Sequence, residues 1–203
     1  MKLPAFYPII DTVPAAEALL DAGARILQFR HKSFFSRTDF EEASRISELC
    51  RSAGALFVVN DRADIAAVLG GALHLGQDDL APSDARRILP SGTIIGFSTH
   101  NEQQLRAGDS EPVDYLAIGP IFATGSKQNP DPVVGLDRLR TLRRLTQKPL
   151  VAIGGITREL APQVFEAGAD SVAIISDLLP NVRARAAEWM AISARAGVRD
   201  AAK

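Results

Sequence analysis

Gln28, Arg30 and Lys32 alternate along one short segment, Gln28-Phe29-Arg30-His31-Lys32. In an extended chain their side chains project to the same side. Two cations and an amide held together need an anion to neutralise them, and a guanidinium fork beside an ammonium suits a diphosphate. Asp61 and Asp79 follow two successive apolar runs. Carboxylates that leave room for phosphate oxygens and water are the hard ligands Mg2+ selects. Asp78 reads better as a cap or a solvated neighbour than as a ligand. Gly154-Gly155-Ile156 lies between an apolar run and a helical pattern, where backbone N–H groups can approach a phosphate with no Cβ in the way. Ile175-Ser176 ends the last apolar run and would complete such a site. Segment 123–135 is long, polar and glycine-bearing, the composition of a lid that carries Lys127 to a ligand. Each feature has a plain counterpart: surface charge at a strand end, a carboxylate capping the next helix, a tight glycine turn, an ordinary loop.

These residues need elements to hold them. Short runs rich in Ile, Val, Leu and Phe lie at 6–10, 25–29, 55–59, 72–75, 93–97, 114–118, 149–153 and 171–175. Such runs predict strands buried on both faces of a parallel sheet. Helical patterns separate them. Phe40, Ala43, Ile46, Leu49 and Ala53 recur at helical spacing, with Thr38 and Glu41 as a capping-box pair at the start. Asn101 and Gln104 give a similar start, and Leu136, Leu139, Leu142 and Leu145 line one side of a helix ending before Pro149. Gly23, Gly54 and Gly168 each follow a helix and suit a left-handed turn. Strict alternation of strand and helix predicts one compact (β/α)8 TIM barrel over residues 1–203, with an open α/β sheet as the alternative. The last ten or so residues, beyond a helix around Trp189, are expected to fray. In a barrel the polar clusters that end the strands converge on one mouth, and that convergence gives weight to signals that are weak alone.

Composition narrows the function. The net charge of −1 over 203 residues provides no field for nucleic acid or an acidic membrane. No apolar run is long enough to span a bilayer, and the opening residues lack the apolar stretch of a secretory signal. The lone Cys50 cannot form an internal disulfide, fits a reducing cytoplasm, and lies on an apolar helical stripe as a buried thiol would. No Ser–His–Asp or Cys–His set stands out. His74 sits in an apolar strand end and reads as a packed structural histidine. His100, two residues after Ser98, reads better as a hydrogen-bonded supporting or capping residue than as a base.

The order and spacing of these clusters resemble the thiamine phosphate synthase family, across about residues 6 to 178. The most specific pieces are QFRHK at 28–32, VNDR at 59–62, LHLGQDD at 73–79, GFSTH at 96–100, DY at 114–115 leading to GPIF at 119–122, and AIGGI at 152–156. The resemblance implies condensation of a hydroxymethylpyrimidine diphosphate with a thiazole phosphate, giving thiamine monophosphate and diphosphate. It implies that Gln28, Arg30, Lys32, Asn60, Ser98 and Lys127 contact the pyrimidine diphosphate. Arg30, Lys32, Lys127 and Ser98 would then serve catalysis, and Asp61 and Asp79 would ligate Mg2+. Thr124, Gly125, Ser126, Gly155, Ile175 and Ser176 would hold the thiazole phosphate. The sequence departs from the family in three places. His31 stands where Glu is usual, Ser126 where Thr is common, and the segment between Asp11 and Gln28 is short. The implied partners are two small-molecule substrates, without nucleic acid or membrane; pairing as a homodimer stays open. Two other readings compete: a thiazole tautomerase with His100 as its acid/base residue, and a non-catalytic barrel that senses a thiamine precursor.

Overall fold

The computed structural model of the chain describes residues 1–32, 35–125 and 131–200, with side chains up to residue 196. Eight strands alternate with helices: β1 (Phe6–Ile10), β2 (Ile26–Phe29), β3 (Leu56–Asn60), β4 (Ala72–Leu75), β5 (Ile95–Thr99), β6 (Tyr115–Ile118), β7 (Leu150–Ile153) and β8 (Ser171–Ile174). Each is followed by its helix: α1 (Val13–Asp21), α2 (Arg37–Ser52), α3 (Ala63–Leu69), α4 (Pro82–Ile88), α5 (Glu102–Ser110), α6 (Gly135–Arg143), α7 (Ala161–Glu166) and α8 (Val182–Asp200). A 3-10 turn, Ser176–Leu178, precedes α8. All neighbouring strands pair in parallel, and β8 returns to β1 through Phe6–Val172, Tyr7–Ala173 and Pro8–Ile174. That last pairing closes the barrel and removes the open-sheet alternative.

Alternation along each strand makes two cores. One set of side chains meets the helices. Trp189 of α8 is fully buried there and stacks on Phe6, with ring centroids 5.5 Å apart and planes 4° from parallel. The other set fills the barrel with Tyr7, Ile9, Ile26, Val58, Ala72, Tyr115, Ala117, Val151 and Ala173. The inward-facing positions one pleat further along each strand reach the mouth, which is why polar residues gather there.

Some expectations move. The fifth strand runs two residues later than 93–97. Asp114 Oδ2 accepts from Ile95 N at 2.8 Å and Asp114 N donates to Ile95 O at 2.7 Å, which pins the start of β5. Its polar end stays in the sheet because Thr99 donates its hydroxyl to Ala117 O at 2.8 Å. The capping box of α2 is Ser36 with Asp39, not Thr38 with Glu41. Ser36 and Asp39 offer the same pair of groups two residues earlier, and α2 begins there. Asn101 does cap α5, accepting from Gln104 N. Gly23, Gly54 and Gly168 take positive φ as expected.

Candidate active site

A cavity of about 420 Å³ opens at the C-terminal ends of the strands. Gln28, Arg30 and Lys32 reach it from β2 and the loop beyond, Asn60 and Asp61 from β3, Asp79 from the loop after β4, and Ser98 from β5. Thr124, Gly155, Ile175 and Ser176 line its other side. Gly125 is exposed and does not line the cavity. Ser126 and Lys127 lie outside the described residues, as does the centre of segment 123–135.

The two carboxylates face each other. Asp61 has φ 65°, the only positive value at a non-glycine among the described residues. Its N–H donates to His74 O at 2.8 Å, which holds this costly backbone in place. Lys32 Nζ donates to Asp61 Oδ2 at 2.8 Å. Asp79 Oδ2 accepts from Gly76 N at 2.6 Å. Loss of solvent raises the Asp79 carboxyl above its ordinary range, and a hydrogen bond with Asp61 and that group's charge raise it further. Two carboxyl groups this close need a shared proton or a cation between them. The pair fits Mg2+, which takes few protein oxygens and completes its shell with water and phosphate. Among the described residues no group of three or more His, Cys, Asp and Glu forms a closed protein cage.

The cationic side of the cavity is partly dry. Burial lowers the Arg30 guanidinium from its usual range and Asp61 offsets part of that. Asn60 Nδ2 is buried without a hydrogen-bond partner, alone in this among the described side chains. A buried donor left unmade costs about 1–3 kcal/mol, so a ligand acceptor here would gain it back.

A line of hydrogen bonds crosses the barrel beneath this floor. Gln28 Nε2 donates to Tyr7 OH at 3.0 Å, and Tyr7 OH lies 2.7 Å from Tyr115 OH. Tyr115 OH is 3.0 Å from His74 Nδ1, and His74 Nε2 is 2.9 Å from Ser98 Oγ. Burial, with smaller contributions from Lys32 and Arg30, pushes the His74 imidazole down to about 4 against an opposing pull from Asp61, so it is neutral at pH 7. Burial holds both phenols protonated. His74 is packed, as its apolar setting predicted, but it also touches a residue of the cavity. Tyr7 and Tyr115 were not legible as polar participants because both sit in apolar runs. His100 supports the rim: its Nδ1 is 2.6 Å from Gly119 O and its Nε2 3.5 Å from Asp131.

Opposite the cations, Gly155 has φ 66°, and a Cβ there would come within 2.5 Å of Ala123 O. Only glycine lets the β7 loop lie so close to the segment after β6. Asp177 Oδ2 accepts from Arg158 Nε at 2.9 Å and from Trp189 Nε1 at 3.0 Å. The turn that presents Ser176 is thereby tied to α8.

The model of the thiamine monophosphate synthase family matches residues 6–178. The chain belongs to that family. It is 48% identical over 205 residues to the thiamine-phosphate synthase of Koribacter versatilis (strain Ellin345), covering 95% of this chain and 97% of that protein. The thiamine-phosphate synthase of Moorella thermoacetica is 41% identical over 179 residues, 88% of this chain and 84% of its own. The solved thiamine phosphate pyrophosphorylase from Pyrococcus furiosus superposes with a TM-score of 0.87 at 30% identity, over 95% of this chain and 96% of that one. The thiamine monophosphate synthase match runs from β1 through the Ser176–Leu178 turn, the stretch that builds the cavity. A transferase of thiamine biosynthesis on a TIM barrel is what family and fold together give. His31 sits 3.5 Å from Asp39 at the start of α2 and meets Phe35 edge-on.

Proposed function

We propose that the cavity condenses a hydroxymethylpyrimidine diphosphate with a thiazole phosphate, releasing diphosphate and giving thiamine monophosphate. The observation that carries this reading is the facing pair Asp61 and Asp79 beside Arg30 and Lys32, in one cavity with Gly155 and Ser176. One wall suits a metal-bound diphosphate and the other a second phosphate.

The methylene carbon–oxygen bond breaks and the diphosphate leaves with the electron pair. The thiazole nitrogen lone pair then forms the new carbon–nitrogen bond. Mg2+ held by Asp61 and Asp79 would neutralise charge on the leaving group. Arg30 and Lys32 add fixed positive charge to the same oxygens, and Asn60 and Ser98 supply hydrogen bonds. Lys127, carried on segment 123–135, would join them. Gln28 orients the pyrimidine from the floor. Thr124, Gly125, Ser126, Gly155, Ile175 and Ser176 hold the thiazole phosphate in line. No protein nucleophile is required, so the work is positioning and charge stabilisation. The one thiol, Cys50, is buried in α2 and pushed up to about 12 by burial.

The test is a coupled diphosphate-release assay with each substrate and Mg2+ omitted in turn. Release that needs all three is the expected result. Binding without release would favour a sensor, and proton exchange on the thiazole alone would favour a tautomerase.

A further inference from the structure

The hydrogen bonds beneath the cavity have a direction, and it can be worked out by counting hydrogens. Gln28 Nε2 donates to the Tyr7 oxygen. Tyr7 has one hydrogen, and its only other hydrogen-bond neighbour among the described residues is Tyr115 OH. If Tyr115 donated to Tyr7 instead, the Tyr7 hydrogen would be stranded without an acceptor in a fully buried place. Tyr7 therefore donates to Tyr115. The Tyr115 hydrogen is then directed at His74 Nδ1, which must present a lone pair. A neutral imidazole with a bare Nδ1 carries its proton on Nε2. That proton points at Ser98 Oγ, 2.9 Å away. Ser98 is an acceptor towards the barrel wall, so its own hydrogen is left for the cavity it lines.

A second feature shows that the Tyr115 ring is built into this position. Gly96, paired in register with both His74 and Tyr115, has no side chain. Any Cβ there would come within 2.0 Å of Tyr115 Cζ and 2.4 Å of its hydroxyl oxygen. The β5 strand gives up a side chain so that the phenol can reach His74. The His74 and Tyr115 rings lie 5.6 Å apart and 24° from parallel, which fixes the imidazole plane as well.

We propose that Tyr115, backed by Tyr7 and Gln28, is a positioning residue that locks His74 in the Nε2–H tautomer and so turns the Ser98 hydroxyl hydrogen outward, as a donor to the anionic leaving group. The tautomer stands on its own; the identity of the leaving group rests on the reaction proposed above. Reversed polarity would need the Gln28 carbonyl against Tyr7. It would end with Ser98 donating to His74 and facing the cavity with a lone pair, which repels an anion.

Two measurements separate the inference from the reaction. Nitrogen-15 NMR of the full chain, without substrate, reads the His74 tautomer directly. The expected spectrum shows a protonated Nε2 and a bare Nδ1 in the unmodified protein, and a mixture of both tautomers in Tyr115→Phe. A protonated Nδ1 in the unmodified protein overturns the proposal, whatever the enzyme turns over. In the diphosphate-release assay, Tyr115→Phe is expected to lower kcat about tenfold, the effect of one misdirected hydrogen bond to a charged group. In a Ser98→Ala background the same change is expected to cost less than twofold. An equal loss in both backgrounds, or full kcat in Tyr115→Phe, overturns it. If Tyr115→Phe fails to fold, the His74 nitrogen-15 spectrum of the unmodified chain decides the tautomer by itself. Failure of the unmodified chain to release diphosphate counts against the reaction and leaves the NMR result to decide the tautomer.

Discussion

Gly96 leaves the space that the Tyr115 ring occupies. The two are register partners on β5 and β6, and the ring reaches across to His74. Gly96→Ala must push the ring aside, because the clash is with the stiff end of an aromatic side chain. Overpacking of this kind costs about 1–3 kcal/mol. A Tm several degrees lower is expected, together with loss of the His74–Tyr115 hydrogen bond. Thermal unfolding checks the first and the His74 nitrogen-15 signals the second. An unchanged Tm with an unchanged spectrum would refute both.

Asp61 holds a left-handed backbone that a glycine adopts freely. Asp61→Gly is therefore expected to keep the Tm or raise it, the relieved strain being worth about 1 kcal/mol. The loss of its contact with Lys32 offsets little, since Lys32 is 54% exposed in that pair. Under the proposed reaction the same variant loses Mg2+-dependent diphosphate release by at least a hundredfold. Stability and activity moving in opposite directions is the signature to look for. A large fall in Tm would mean that Asp61 is kept for the fold.

His74 makes stability depend on pH in a fixed direction. Its folded value is about 4, below the ordinary 6.5, so between the two the unfolded chain binds more protons. Its contribution is fully present above pH 6.5 and is lost as pH falls towards 4. The displacement corresponds to on the order of 3 kcal/mol at the acid end. Urea unfolding at pH 7 and pH 4.5 is expected to show a smaller pH difference in His74→Gln than in the unmodified chain. Equal differences would mean that His74 is not buried in its neutral form.

The barrel was legible because burial on both faces leaves runs of Ile, Val and Leu that no amphipathic pattern mimics. That Arg30, Lys32, Asp61 and Asp79 share one mouth was legible because the strand ends of a barrel converge there. What escaped was set by contacts between distant strands. Tyr7 and Tyr115 looked like core residues, and nothing local says that their hydroxyls meet. Gly96 inside an apolar strand was the one available sign of a close approach. The α2 cap was misplaced by two residues because Ser36 and Thr38 offer the same chemistry. Nothing beside Asp177 in the sequence announces its partners, which lie 19 residues before it and 12 after.

That aspartate provides the last prediction. Its side chain is only 14% exposed, and Arg158 opposite it only 15%. Asp177→Ala strands the indole N–H of Trp189, which is fully buried, and removes one acceptor from Arg158. Leaving a buried donor and a mostly buried cation short of a partner costs about 2–4 kcal/mol. Arg158 keeps Glu188 as a second partner, which holds the cost to the lower part of that range. The exposed pair Arg37 with Glu41 is the control, where Arg37→Ala is expected to change stability by less than about 0.5 kcal/mol. Asp177→Ala also frees the turn that carries Ser176. Under the proposed reaction KM for the thiazole phosphate rises while KM for the pyrimidine diphosphate stays within about twofold, because Arg30, Lys32 and Asp61 lie across the cavity. Steady-state kinetics with each substrate varied in turn reads that split. A parallel rise in both would show that the tie between Asp177 and Trp189 supports the whole barrel mouth rather than one wall of it.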